Sequence, residues 1–283
     1  MKRCIQIISA KRAGFCFGVK RAVDMAFDAA KKGNGVFTLG PIIHNPQVVE
    51  RLKEVGVQPV ENIKDPSIKT IIIRTHGVPK NISEELENMG CNVIDATCPF
   101  VKKAQQYAKL LKEEGYQVLI VGDMEHPEVK GLMSYAGDDA IVVNRNSKLE
   151  SLKKRVGVIV QTTQPLNIFR DIVSDAVGQV KELKVFNTIC NSTDLRLKET
   201  RDMAKKVDVM VIVGGKNSAN TTQLAELCRS MGVDTYHIET ASEIDYNWFL
   251  KAKKIGISAG ASTPDWIIKE VENKIKDIKR GEE

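Results

Sequence analysis

The chain has little that would send it to a membrane, a secretory route or a nucleic acid. None of its apolar runs approaches the roughly 18 residues that a spanning helix needs. The basic opening Met1-Lys-Arg-Cys-Ile-Gln-Ile-Ile is interrupted by Gln6 and followed by Lys11, so it reads as a strand and not as a signal peptide. Aromatic residues make up only 5% of the chain. The basic residues fall in pairs, Lys31-Lys32, Lys102-Lys103, Lys153-Lys154 and Lys205-Lys206, mostly beside acidic residues in helical stretches. Without aromatic interleaving, the net charge of +6 describes solvated faces and not a nucleic-acid surface. Gly/Ser linkers and low-complexity segments are missing, so the parts of the fold must pack directly on one another. No Cys-x2-Cys to Cys-x4-Cys clip occurs, and six cysteines without a secretory signal do not make a disulfide framework. With 42% hydrophobic and 28% charged residues over 283 positions, what remains is a soluble globular protein of the cytoplasm with two or three domains.

What is present is a repeat marked by three cysteines. Cys16 opens Cys-Phe-Gly-Val-Lys-Arg-Ala, Cys98 opens Cys-Pro-Phe-Val-Lys-Lys-Ala, and Cys190 opens Cys-Asn-Ser-Thr-Asp-Leu-Arg. Counting 28 residues onward from each reaches His44, His126 and Ser218. The spacing predicts three repeats of about 90 residues, 10–97, 98–189 and 190–283.

Short β-branched runs recur: Ile5 to Ile8, Thr70 to Ile73, Val118 to Val121, Ala140 to Val143, Gly157 to Val160, Val209 to Val213 and Lys254 to Ile257. Nearly all lead through a loop into an amphipathic helical stretch. Three strand-loop-helix units per repeat predict α/β domains with mainly parallel sheets. Pro46, Pro79, Pro99, Pro127, Pro165 and Pro264 each follow a loop polar residue closely and mark the first helical position. The loops therefore lie where strands end and helices begin, the ligand-binding edge of open α/β sheets, and helix N-termini suit an anion.

Three thiols at one station have three readings: zinc ligands, iron–sulfur ligands, or small buried hydrophobes. Cys4, Cys91 and Cys228 fit the last, two opening strands and one in the helix Thr221 to Met231. For Cys16, Cys98 and Cys190 the shared station favours a metal or cluster. A structural zinc site wants four clustered ligands, whereas a four-iron cubane accepts thiolates from three domains and leaves one iron without one. His44, His76 or His126 is the alternative fourth ligand. Otherwise these histidines, with Ser218, Asn220 and Ser262, line an anion site suited to a phosphate-like group. Glu128, in the first turn after Pro127, is the candidate proton source beside Thr163.

These motifs resemble the 4-hydroxy-3-methylbut-2-enyl diphosphate reductases. The likeness runs nearly end to end and rests on Ala13-Gly-Phe-Cys-Phe-Gly-Val-Lys-Arg-Ala, Leu39-Gly-Pro-Ile-Ile-His-Asn-Pro, Arg74-Thr-His-Gly, Asp95-Ala-Thr-Cys-Pro, His126-Pro-Glu-Val, Gln161-Thr-Thr, Gly215-Lys-Asn-Ser and Ser258-Ala-Gly-Ala-Ser-Thr-Pro-Asp. The resemblance implies three α/β domains in pseudo-threefold arrangement around a central 4Fe-4S cluster, with the N-terminal strand 1–9 completing the last. Cys16, Cys98 and Cys190 would ligate it. His44, His76, His126, Ser218, Asn220 and Ser262 would hold a diphosphate, Thr163 would orient an allylic hydroxyl, and Glu128 would supply protons. The implied reaction is reductive removal of that hydroxyl at the open iron by two electrons and two protons, yielding isopentenyl and dimethylallyl diphosphate, with a ferredoxin- or flavodoxin-type donor. Ala219 stands where many relatives carry a second serine, which leaves only a backbone contact there. The alternatives are a quinolinate-synthase-like cluster enzyme, whose substrates call for carboxylate-clamping arginines, and a redox sensor, which would need a DNA-binding element.

Overall fold

The computed structural model describes residues 5–280 except 34, 62 and 64–67, with side chains as far as residue 277. Cys4 lies outside the described residues. The chain begins β1 (Gln6–Ser9), α1 (Phe17–Lys32), β2 (Val36–Leu39), α2 (Pro46–Glu54), β3 (Val57–Val60), β4 (Thr70–Ile73), α3 (Lys80–Asn88) and β5 (Asn92–Asp95). It continues α4 (Pro99–Glu113), β6 (Gln117–Val121), α5 (Pro127–Ala136), β7 (Ile141–Val143), β8 (Arg155–Val160), α6 (Leu166–Val177) and β9 (Glu182–Val185). It closes with α7 (Asn191–Ala204), β10 (Val209–Val213), α8 (Ala219–Ser230), β11 (Asp234–Ile238), two short 3-10 turns, β12 (Lys254–Ala259) and α9 (Asp265–Arg280).

The strands form three four-stranded sheets of one pattern, β3-β2-β4-β5, β7-β6-β8-β9 and β11-β10-β12-β1. Every pairing is parallel. Parallel strands covered by helices on both faces lose the alternation of half-exposed strands; all five residues of β6 and of β10 are buried. The helices turn matching stripes inward, as α4 does with Val101, Ala104, Ala108 and Leu111. Leu111, Val118, Ile120, Leu132 and Ile159 share a core on one face of the second sheet, and Leu119, Val121, Val158, Phe169 and Ile172 on the other.

β1 pairs with β12 from Gln6 against Lys254 to Ser9 against Ile257, so the N-terminal strand completes the last sheet. β5 and β9 do the same for the first and second sheets, and each leads into a cysteine. In all three sheets the chain reverses its direction of growth between the second and third strands in spatial order, and ligands bind at such switch points outside the carboxyl ends of the strands. Compactness divides the chain into two units, 1–20 with 44–50 and 191–283, and 21–43 with 51–190.

One expectation is exceeded and another needs correction. Among the described residues all nine strand-loop-helix units are present, and β3, β7 and β11 add an outer strand to each sheet. Among the described residues no α-helix separates these strands from the next; β7 falls in the run Ala140 to Val143, whereas β3 and β11, as part-exposed pieces, lack the apolar run that marked the inner strands. The prolines also divide into two groups. Pro46, Pro99 and Pro127 open α2, α4 and α5, but Pro79, Pro165 and Pro264 stand one residue ahead of α3, α6 and α9. The extended backbone of Pro79 and Pro165 ends the loop instead of beginning the helix.

Gly157, in β8, shows how closely helix and sheet approach. A Cβ there would come within 2.4 to 2.8 Å of three side-chain carbons of Leu111 on α4. Gly157→Ala is therefore expected to destabilise the protein by about 1–3 kcal/mol through overpacking. Gly178→Ala, where nothing lies within 4 Å, serves as the control and stays within about 0.5 kcal/mol of wild type. Urea unfolding of the two variants checks the difference.

Candidate functional site

Each cysteine sits in the same local frame. Its strand has just ended, its helix begins one residue later, and its own N–H is held by a carbonyl in the loop after the neighbouring strand. Cys98 N–H donates to Thr75 O at 2.9 Å, Cys190 N–H to Thr162 O at 2.9 Å, and Cys16 N–H to Ala261 O at 3.1 Å. The carbonyls of Cys16 and Cys98 in turn accept the first helical bonds, from Lys20 and Lys102 at 2.9 and 3.0 Å. All three thiols are half-buried. Each thus offers a sulfur at a helix N-terminus, a donor suited to an iron–sulfur cluster, since the dipole end favours a negatively charged group. The other cysteines differ. Cys91 is half-buried against the core of the first sheet, and Cys228 is fully buried in α8, where burial pushes its thiol up to about 11.

In the unit that contains residues 191–283, the chain gathers His44, Ser218, Asn220 and Ser262. Ser262 Oγ donates to the His44 carbonyl at 3.3 Å. Ser218, itself buried, caps α8, its Oγ accepting from Thr221 N–H at 3.5 Å, so its hydroxyl can still donate. Asn220 is 5% exposed, and its Oδ1 accepts from Ala261 N–H at 3.1 Å. That bond turns Nδ2 away, and this buried amide nitrogen has no partner among the described residues. A buried donor left unmatched is costly unless a ligand supplies the acceptor, and an anion does so. Cys16 is tied to the same loop through Ala261.

In the unit that contains residues 51–190, the His76 and His126 rings lie edge to face with centroids 5.4 Å apart. His126 caps α5, its Nδ1 accepting from Glu128 N–H at 3.2 Å. A neutral ring in that state carries its proton on Nε2 and presents it as a donor. The 28-residue count slips by one at the first repeat: α5 and α8 begin one residue after His126 and Ser218, but α2 begins two after His44. Asn45 is the cap there, its Oδ1 accepting from Val48 N–H at 3.0 Å.

Glu128 is 1% exposed. Its Oε1 accepts from Thr162 N–H at 2.7 Å and its Oε2 from the Thr162 hydroxyl at 2.8 Å. Burial drives its carboxyl from the usual 4.5 up to about 7, and the two Thr162 bonds oppose the rise without cancelling it. These contacts fall on Thr162, the neighbour of the Thr163 expected beside Glu128. Thr163 Oγ1 instead accepts from Gln161 Nε2 at 3.1 Å. Thr162 also offers its carbonyl to the Cys190 N–H, so one residue links Cys190 to Glu128. His237, read as a strand residue, lies in β11 with Nε2 2.9 Å from Gly214 O.

Residues 7–276 match the family model described as LytB protein. The chain belongs to the LytB family. The 4-hydroxy-3-methylbut-2-enyl diphosphate reductase of Trichlorobacter lovleyi is 49% identical over 276 residues, covering 97% of this chain and 99% of that protein. That of Geobacter sulfurreducens is 48% identical over 276 residues, with 97% and 98% covered. A solved structure of (E)-4-hydroxy-3-methyl-but-2-enyl diphosphate reductase, the terminal enzyme of the non-mevalonate pathway, superposes with TM-score 0.73 at 46% identity, covering 96% of this chain and 99% of its own. The reductase from Plasmodium falciparum, 23% identical, shares the fold with TM-score 0.87 over 96% of this chain and 87% of its own.

The raised carboxyl of Glu128 predicts a pH-dependent stability. Between about 4.5 and about 7 the folded protein binds the proton that the unfolded chain releases. The stabilising contribution is complete below that window and is lost as pH rises through it. In urea unfolding at a series of pH values, the wild type is expected to lose on the order of a few kcal/mol across the window relative to Glu128→Gln. Parallel curves for the two proteins would contradict the assignment.

Proposed function

We propose that the chain reduces (E)-4-hydroxy-3-methylbut-2-enyl diphosphate to isopentenyl and dimethylallyl diphosphate, removing the allylic hydroxyl with two electrons and two protons. Membership of the LytB family, whose members are iron–sulfur enzymes, and the near-complete overlap with named reductases support the reaction. The single observation that carries the site is the repeated cysteine frame, three N–H groups each held by the loop of a neighbouring strand.

In this reading Cys16, Cys98 and Cys190 hold one 4Fe-4S cluster, and the repeats run 10–97, 98–189 and 190–283 with 1–9 joining the last. When bound, such a cluster supplies electrons singly and an iron open to the substrate's oxygen. The diphosphate is held by His44, His76, His126, Ser218, Asn220 and Ser262. The roles divide by chemistry: Asn220 offers its unmatched Nδ2, Ser218 its hydroxyl, and His126 its Nε2–H. These are neutral donors, which suit a diphosphate that must leave again as product.

Glu128 supplies the proton. With its carboxyl near 7 it is substantially protonated at neutral pH, as a general acid must be. When Oε2 carries the proton, the bond to Thr162 reverses: the carboxyl donates to Oγ1, and the Thr162 hydroxyl passes its own proton toward the departing oxygen. Thr162 therefore has the stronger claim on the reacting hydroxyl, while Thr163, bound to Gln161, orders the loop beside it. Burial around Glu128 keeps water from competing for that proton. The electron donor is of ferredoxin or flavodoxin type, an acidic partner for a chain of net charge +6, and the setting is cytoplasmic. Among the described residues no helix is long and apolar enough to cross a membrane.

The test is anaerobic turnover of the diphosphate by cluster-reconstituted protein with a reduced viologen. Wild type should form both five-carbon diphosphates. Glu128→Gln should bind substrate with little change and lose turnover by about 10²–10⁴-fold. Thr162→Val should lose turnover in the same direction, because it removes the hydroxyl between acid and substrate. Wild type that carries an intact cluster and consumes no substrate overturns the reading.

A further inference from the structure

The repeat breaks its own pattern at one buried position. Six residues after Cys16, Cys98 and Cys190 stand Ala22, Ala104 and Arg196, each on the helix that follows its cysteine. All three are buried, at 0%, 0% and 2% exposure. Two repeats close the position with a methyl group, and the third closes it with a guanidinium. Desolvating an arginine is costly, and a small apolar residue fits the equivalent place twice, so packing alone does not account for the charge.

The contacts of Arg196 point to the two loops that meet at Cys16. Its Nη1 donates to the carbonyl of Arg12, four residues before Cys16, and at 2.8 Å to that of Ala259, three before Ser262. One turn farther along α7, the carboxylate of Glu199 accepts from the N–H groups of Lys11 and Arg12 at 2.9 and 3.0 Å. Beside it the Thr200 hydroxyl shares a 2.8 Å bond with Ser258 Oγ. One helix thus grips the turn before Cys16 from both its amide and carbonyl sides, and grips the end of β12 as well. The Cys16 N–H bond to Ala261 lies between these two anchors.

We propose that Arg196 is a positioning residue, which keeps the Cys16 and Ser262 loops in register and supplies a fixed positive charge that favours reduction of the cluster. The proposal rests on the reductase reading given above. Reduction adds negative charge, and a cation held in a low-dielectric interior stabilises the reduced state. Loop register acts instead on substrate affinity, through Ser262 and through Asn220, whose Oδ1 is bonded to Ala261.

The experiment compares wild type, Arg196→Met and Arg196→Lys, each reconstituted and matched for iron content. Midpoint potential is followed by electron paramagnetic resonance, and kcat and KM are measured with a reduced viologen. Arg196→Met should lower the potential, raise KM and reduce kcat/KM by on the order of 10²-fold. Arg196→Lys, which keeps the charge but loses the planar fork, should retain the wild-type potential while KM still rises. Wild-type potential and KM in both variants would make Arg196 a packing residue and overturn the proposal. If Arg196→Met does not keep its cluster, Arg196→Lys and Glu199→Gln decide: raised KM in both supports the proposal, and unchanged KM in both defeats it. Wild type without turnover defeats the reductase reading, and the potentials still test the charge.

Discussion

Three main-chain hydrogen bonds carry the design, those from the cysteine N–H groups to Thr75, Thr162 and Ala261. Each joins the loop after the last-added strand of a sheet to the loop after that strand's neighbour. In a parallel sheet all such loops emerge at one edge, so every sheet presents a cysteine together with two neighbouring loops at that edge. The thiols are thereby fixed by backbone geometry that side-chain substitution does not readily change. This is how widely separated cysteines, with no local clip, obtain defined positions.

Around that frame the polar groups serve two ends. In the unit of residues 191–283 the buried Asn220 amide nitrogen is left without an acceptor among the described residues, and in the unit of residues 51–190 the backbone sets the tautomer of the His126 ring. In that second unit Glu128 is kept protonatable by burial and oriented by two bonds to a single threonine. Both depend on excluding water. The same burial that makes an unmatched amide expectant of a ligand also lifts a carboxyl toward neutrality.

Much of this was legible in the sequence because it is periodic. Parallel sheets follow from the β-branched runs, and the completion of the last sheet by β1 appears in the register from Gln6 to Ser9. The outer strands β3 and β11 were not among the listed runs, since they are short and part-exposed. The Cys-to-His count misses a one-residue offset at His44, where the helix cap has moved to Asn45. Thr162 and Thr163 are neighbours in a loop, and which of them turns toward Glu128 is decided by backbone angles that no residue pattern encodes. Arg196 differs: its signal was present, because the counting that aligned the cysteines also sets it against Ala22 and Ala104.

The central claim is that three equivalent thiols, and no fourth, hold one cluster. Mössbauer spectroscopy of the anaerobically reconstituted protein tests it most directly. The account predicts a four-iron cluster in which one iron is spectroscopically distinct from the other three and shifts when 4-hydroxy-3-methylbut-2-enyl diphosphate is added. A spectrum in which every iron has the same sulfur environment, indifferent to the diphosphate, would contradict it.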